Sequence, residues 1–220
     1  MKKSLIIICL IQLFIGITLK AQYKTSDSLK KTTDPRKKFA FGVKGGFNYS
    51  NVWNERGEDF QTDPRFGIAG GLFFGIPIGK FLGVQPEILI SQKGFQGAGT
   101  LFGSSYSFSR RSTYIDIPLQ FQIKPAKFLT IVLGPQYSYL MHEKNVYTLG
   151  TTSTEQEQEF RNAHVRKNIL GFVTGPDIII QHLVISGRVG WDLQNNNGDG
   201  TSSTPRYKNR WVQLMVGFKL

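Results

Sequence analysis

Eight stretches of this chain place an apolar residue at every second position, a period that only extended structure accommodates. They run over approximately 38–50, 65–78, 82–94, 112–124, 127–141, 166–180, 182–193 and 208–220. In the first, FAFGVKGGFNYS, residues Phe39, Phe41, Val43, Phe47 and Tyr49 share one side, and Ala40, Gly42, Lys44, Gly46, Asn48 and Ser50 share the other. The connections alternate as well. IGKF (78–81), KPAK (124–127) and IQHL (180–183) are tight hairpins, whereas the intervening segments are long and polar: SNVWNERGEDFQTDP, FQGAGTLFGSSYSFSRRS, HEKNVYTLGTTSTEQEQEFRNA and the NNNGDGTSSTP stretch. One rim of the sheet then carries short turns and the other long loops.

Alternation alone fits a water-soluble barrel with its apolar face inside or a membrane barrel with that face outside. The second face decides. Run two sets Gly67, Ala69, Gly71 and Gly75 against Phe66, Ile68, Leu72, Phe74, Ile76 and Ile78, with Phe73 the exception. Run three sets Gln85, Glu87, Ser91 and Lys93 against Leu82, Val84, Ile88 and Ile90. Small residues mixed with a few long polar ones describe the filled interior of a narrow barrel rather than a solvated exterior. The 24 glycines in 220 residues exceed the usual share of about 7 %. The apolar face is nearly free of charge at mid-strand, where a lipid-facing Lys or Arg costs roughly 2–4 kcal/mol. Tyr49, Phe81, Phe128, Tyr139 and Trp191 stand near strand ends, as interfacial aromatic girdles require.

The N-terminus agrees. MKKSLIIICLIQLFIGITLKAQ has two lysines, an apolar run and Ala21 before Gln22, which reads as a secretory signal peptide over 1–21. An uncleaved anchor is the alternative, but the run is shorter than the about 20 residues a spanning helix needs. Loss of Lys2, Lys3 and Lys20 with the leader lowers the net charge from +12 to +9 and removes Cys9, the one cysteine, so no disulfide or thiol chemistry is expected. Residues 22–37 read as a periplasmic basic linker whose cluster Lys30, Lys31, Arg36, Lys37 and Lys38 is solvated or meets anionic headgroups. The positive charge is otherwise scattered and the chain is exported, so nucleic acid is not an expected partner. The organisation expected is an all-β, eight-stranded, antiparallel, up-and-down transmembrane β-barrel over 38–220, in the outer membrane with its lipid as solvent.

FAFGVKGGFNYSNV, GVQPEILISQKG, YIDIPLQFQIKP and the closing WVQLMVGFKL resemble the outer-membrane β-barrel family common in Bacteroidetes, often labelled PorT-like or porin family. Its first-strand G-x-K-x-G is matched by Gly42, Lys44 and Gly46, its Pro step and Ser-x-Lys-Gly by Pro86, Ser91, Lys93 and Gly94, and its Ile-Pro step by Ile117 and Pro118. The resemblance covers roughly 38–220 and implies a fold more than an activity; the PorT name implies a part in type IX secretion. Barrel chains of this kind usually end on an aromatic residue read by the barrel-assembly machinery. This one ends on Leu220, with Phe218 two residues earlier on the same face.

Chemistry is sparse. Lys44, Glu87, Asp116, Lys124, Asp177, Arg188 and Asp192 fall on the inward face, and charges in a narrow lumen must pair. Runs three and seven face each other in an eight-stranded closure, which brings Glu87 towards Arg188. The network reads as a structural plug or, alternatively, as a gated path making the barrel a narrow pore for ions or small solutes. No histidine has a serine and a carboxylate arranged around it, so no catalytic site and no enzyme is expected. NNNGDG imitates the start of a calcium loop, but Arg206 stands where an EF-hand has Glu; His142, Glu143 and His164 have no fixed geometry, and no metal or cofactor is expected. Glu155, Glu157 and Glu159, spaced by two, point to a hairpin beyond the membrane whose edge either docks a protein partner or discourages pairing.

Overall fold

The computed structural model describes residues 34–53, 62–101, 104–149, 152–158, 166–196 and 207–220. The expected leader, most of segment 22–37, Glu159, His164 and the Asn197–Arg206 stretch lie outside these residues. The described strands are β1 (Ala40–Trp53), β2 (Asp63–Pro77), β3 (Leu82–Leu101), β4 (Ser104–Ile123), β5 (Leu129–Leu149), β6 (Thr152–Gln158), β7 (Asn168–Ile180), β8 (Leu183–Asp192) and β9 (Lys208–Lys219). Each pairs antiparallel with its neighbours, in the order β4-β3-β2-β1-β9-β8-β7-β5-β6 with a further β4–β5 pairing. That last pairing makes a ring of eight, β1-β2-β3-β4-β5-β7-β8-β9, and β6 adds to the upper half of β5 alone. The seam between first and last strands is continuous, from Gly42 opposite Lys219 to Trp53 opposite Lys208.

The two faces divide as the period-two pattern requires. On β1, Gly42, Lys44, Asn48, Ser50 and Val52 are buried in the lumen, while Val43, Phe47, Tyr49 and Trp53 are exposed on the outside. Outward apolar positions form a continuous band, including Phe66, Ile68, Ile88, Ile90, Leu119, Phe121, Ile178, Val212 and Leu214. The expected girdle residues are exposed too: Phe81 and Phe128 at the short-turn rim, and Tyr49, Tyr139 and Trp191 towards the other rim. Phe73, out of step in the sequence pattern, is an inward residue whose ring lies 5.8 Å from the Lys44 ammonium.

One expectation changes. The segment 95–112 is not a loop: β3 continues to Leu101 and β4 starts at Ser104, paired through Leu101 opposite Ser104. In the third long segment, where the glutamate spacing points to a hairpin, β5 runs on to Leu149 and pairs with β6 from Glu143 opposite Gln158 to Leu149 opposite Thr152. A spanning strand needs about 9–11 residues, and β3, β4 and β5 have 20, 20 and 21. Their distal halves stand beyond the apolar band, with Phe95, Ser112, Glu143 and Asn145 still buried on the inward side. Hydrogen-bonded pairing persists there while the hydrophobic alternation disappears. A bulge at Met141 marks the transition, since Tyr114 pairs with Leu140 and Thr113 with His142; Met141 and His142 both face outward and Glu143 returns inward.

Close approach at the seam explains part of the glycine content. A Cβ on Gly46 would run into the main chain of Leu214 and Met215 on β9, so only glycine permits the strands to pair there. Gly79, in the first tight turn, has open space around it. Gly46→Val is therefore expected to abolish the compact, faster-migrating band of unboiled protein on a semi-native gel, and Gly79→Ala to retain it. Identical migration of boiled and unboiled wild type would contradict the closed barrel.

Candidate functional site

The lumen is filled in layers, and strand alternation sets which residues build each. Nearest the short turns, β1, β3, β7 and β8 contribute Lys44, Glu87, Asp177 and Arg188. Lys44 Nζ lies 2.6 Å from Glu87 Oε1. The Arg188 guanidinium lies 3.6 Å from the same oxygen and 2.7 Å from Asp177 Oδ1. The Lys44, Glu87 and Arg188 side chains are each 1 % exposed. Gln85 ties the carboxylates together, its amide donating to Glu87 Oε1 at 2.7 Å and Asp177 Oδ2 at 3.2 Å. Arg188 also donates to the carbonyl oxygens of Pro176 and Gly187, at 3.0 and 2.9 Å. Two cations and two anions are thus paired with added hydrogen bonds, the condition under which buried charge is tolerated.

Above this layer an apolar cluster enters the lumen beside the buried polar residues Ser91, Asp116 and Ser186. Ala69, Leu89 and Met215 pack together, with Met215 fully buried. Next along β3 and β4 comes a second ion pair, Lys93 with Asp116 at 3.1 Å. Ser91 donates to Asp116 at 2.5 Å, and the Lys93 ammonium sits 3.9 Å from the centre of the Trp211 ring and 4.9 Å from that of Tyr114, close enough for cation–π attraction. Asn48 and Gln213 join by a 2.7 Å hydrogen bond across the seam strands.

At the long-loop end, Arg110 donates to Tyr207 Oη at 2.6 Å and to Asn145 Oδ1 at 2.8 Å, and lies 3.5 Å from Glu143. Phe95, Val52 and Tyr207 pack under it. Asp192 accepts from both the backbone N–H and the side-chain amide of Asn209, at 3.1 and 2.5 Å.

Four of the seven expected inward charges, Lys44, Glu87, Asp177 and Arg188, therefore meet in one cluster. Asp116 belongs to a separate layer, Asp192 to a third neighbourhood, and Lys124 to the short-turn rim, where it donates to the Arg36 carbonyl oxygen at 3.2 Å. Lys93, Gln85, Arg110, Glu143 and Tyr207 complete these layers without having been singled out for them. Lys93 was recognisable as an inward position of the third run, although its register partner is Ser112 and Asp116 sits opposite Leu89. Arg110 and Glu143 were not, because they sit on strand extensions with no apolar alternation; Glu143 turns towards Arg110 and away from the exposed His142. Glu155 and Glu157 lie on β6, in register with Val146 and Lys144 of β5.

At the short-turn rim a single 3₁₀ turn, Pro35–Lys37, precedes β1. Asp34 caps it by accepting from the Arg36 backbone N–H at 3.1 Å, and the Arg36 guanidinium grips the same carboxylate at 2.8 Å. The hydrogen bonds from Arg36 hold the Asp34 carboxyl well below its usual range. Arg36 also stacks over Phe81, 5.2 Å from the ring centre.

Residues 20–198 match the family described as outer membrane protein beta-barrel domain. No curated protein matches the chain. Among solved structures, it is similar to the attachment invasion locus protein Ail of Yersinia pestis, in a complex with the heparin analogue sucrose octasulfate, at 12 % identity and a TM-score of 0.45, covering 83 % of this chain and 99 % of that one. It is similar to Neisserial surface protein A at 12 % identity and a TM-score of 0.47, covering 82 % and 99 %. It is also similar to OprG of Pseudomonas aeruginosa at 14 % identity and a TM-score of 0.41, covering 84 % and 97 %. With most of its length matched by the family and its sheet closed into a ring, the chain belongs to the outer membrane protein beta-barrel domain family and resides in the outer membrane.

Proposed function

We propose that the protein is a plugged, non-enzymatic barrel that acts by structure and interaction at the cell surface. The observation that carries this reading is a lumen filled by buried side chains, with the Lys44, Glu87, Arg188 and Asp177 cluster and the Lys93–Asp116 pair on either side of the packed Ala69, Leu89 and Met215. An ion entering from the periplasm meets charges that are already paired with one another, and then a packed apolar cluster. The strand extensions beyond the membrane supply the interaction surface. The β5–β6 hairpin with Glu155 and Glu157 is the place where a protein partner docks, and Phe218, exposed on the outer face of β9, stands in for the terminal aromatic read by the barrel-assembly machinery. The resemblance to PorT-like barrels supports a link to type IX secretion, tested by whether deletion of the gene abolishes release of that system's cargo.

Refolded wild type in a planar bilayer is expected to show no steady unit currents, and Leu89→Ala with Met215→Ala, which empties the packed apolar cluster, to allow them. Steady wild-type currents that vanish on Glu87→Ala or Arg188→Ala would establish the narrow pore instead. Glu87→Ala alone strands the buried Lys44, while Arg188 keeps Asp177, and is expected to lower stability by roughly 3–5 kcal/mol, measured as a shift in the urea midpoint of the folded band. A midpoint within error of wild type would show that the network bears no structural role.

A further inference from the structure

The periplasmic rim holds more positive charge than its carboxylates answer. A cavity of about 50 Å³ opens there, and its wall includes Arg36, Lys38, Lys124, Lys127 and Lys219, with Asp177 the one carboxylate. That carboxylate is taken by Arg188 at 2.7 Å, and the nearby Asp34 is taken by Arg36. Among the described residues, Lys38, Lys124, Lys127 and Lys219 have no carboxylate within ion-pair distance. Lys124 is the telling member. It is 6 % exposed, so water cannot fully solvate its ammonium, whose hydrogen bond to the Arg36 carbonyl oxygen at 3.2 Å brings a dipole and no charge. Burial pushes its ammonium below the usual lysine range, and the charge of Lys219 adds to that. A buried cation without a counter-charge is costly; several sharing one cavity wall repel one another as well.

We propose that this vestibule binds a compact oxyanion of the phosphate class, held by Lys124 and Lys219 from the barrel and by Lys38 from the segment that leads into β1. The size of the cavity supports a small ion: it holds a few waters' worth of volume, enough for inorganic phosphate and too little for a lipid headgroup with its glycerol. Lysine ammoniums, each a point donor on a flexible stem, suit a tetrahedral ion approached from several sides. The bound anion also links two parts of the chain. Arg36 already reaches the Lys124 carbonyl oxygen at 3.5 Å, and an anion between Lys38 and Lys124 removes the repulsion that opposes this docking.

The test is calorimetric titration of inorganic phosphate into the refolded full chain in zwitterionic detergent, with ionic strength held constant by sodium chloride. Saturable single-site binding is expected. It should weaken at least tenfold in Lys124→Gln with Lys219→Gln, and stay unchanged in Lys80→Gln, a lysine of the neighbouring turn outside the cavity wall. If the double variant does not fold, Lys38→Gln with Lys127→Gln, at exposed positions, is expected to weaken binding at least threefold. Absence of saturable binding to folded wild type, or wild-type affinity in a folded variant lacking these lysines, overturns the proposal.

Discussion

In hydrocarbon no water is available to satisfy a backbone amide, so a spanning sheet must close on itself. The pairing of β1 with β9, twelve residues from Gly42 to Trp53 in register with Lys219 to Lys208, removes the last pair of free edges, and the other features follow from it. Closure of eight strands leaves a lumen only wide enough for side chains, which explains why glycine and alanine recur on the inward face and why Gly46 admits no Cβ against Leu214. It also reverses the usual sense of the hydrophobic pattern. The large apolar residues contact lipid and gain nothing by being hidden, while the buried interior is polar.

A polar interior with little water imposes its own rule: each charge must find a partner inside the barrel. Lys44, Glu87, Arg188 and Asp177 meet that rule from four different strands, and Lys93 with Asp116 meets it again one level higher. The contacts of Glu87 with Lys44 and Arg188 link strands that share no backbone hydrogen bonds, whereas Arg188–Asp177 and Lys93–Asp116 join neighbouring strands. The apolar cluster of Ala69, Leu89 and Met215 packs among these pairs. Among the described residues the pairing falls short at Asp192, which Asn209 alone hydrogen-bonds, and at the periplasmic rim, with Lys124 buried and no carboxylate left for it.

The part of the fold that lies in lipid was readable from the residues, since there one face is always apolar and a slip of one residue would reverse it. Hence the run containing Ile115, Ile117, Leu119, Phe121 and Ile123 matched the outward face of β4 position for position. The segments holding Arg110 and Glu143 are unreadable for the same reason in reverse: beyond the lipid the outward face is no longer consistently apolar, so alternation does not single out the inward residues, although Phe95, Glu143 and Asn145 are buried there. The pairing of Glu87 with Arg188 followed from ring geometry alone. The split between the Lys44 cluster and the Lys93–Asp116 layer did not, because it depends on height along the barrel axis, which strand tilt sets. Inward apolar residues such as Leu89, Phe73 and Met215 interrupt the alternation in composition though not in direction, and one-letter patterning has no means of assigning them.

Trp211 offers the most direct test of an interior that is both inside out and plugged. Of the three tryptophans, Trp53 and Trp191 face outward at 61 % and 37 % exposure, and Trp211 is in the lumen at 3 %. In a Trp53→Phe, Trp191→Phe protein folded into vesicles, Trp211 fluorescence is expected to resist quenching both by lipids brominated along the acyl chain and by acrylamide in the aqueous phase. Quenching by the brominated lipid would contradict the assignment of faces, and quenching by acrylamide at the rate of an exposed indole would contradict the plug.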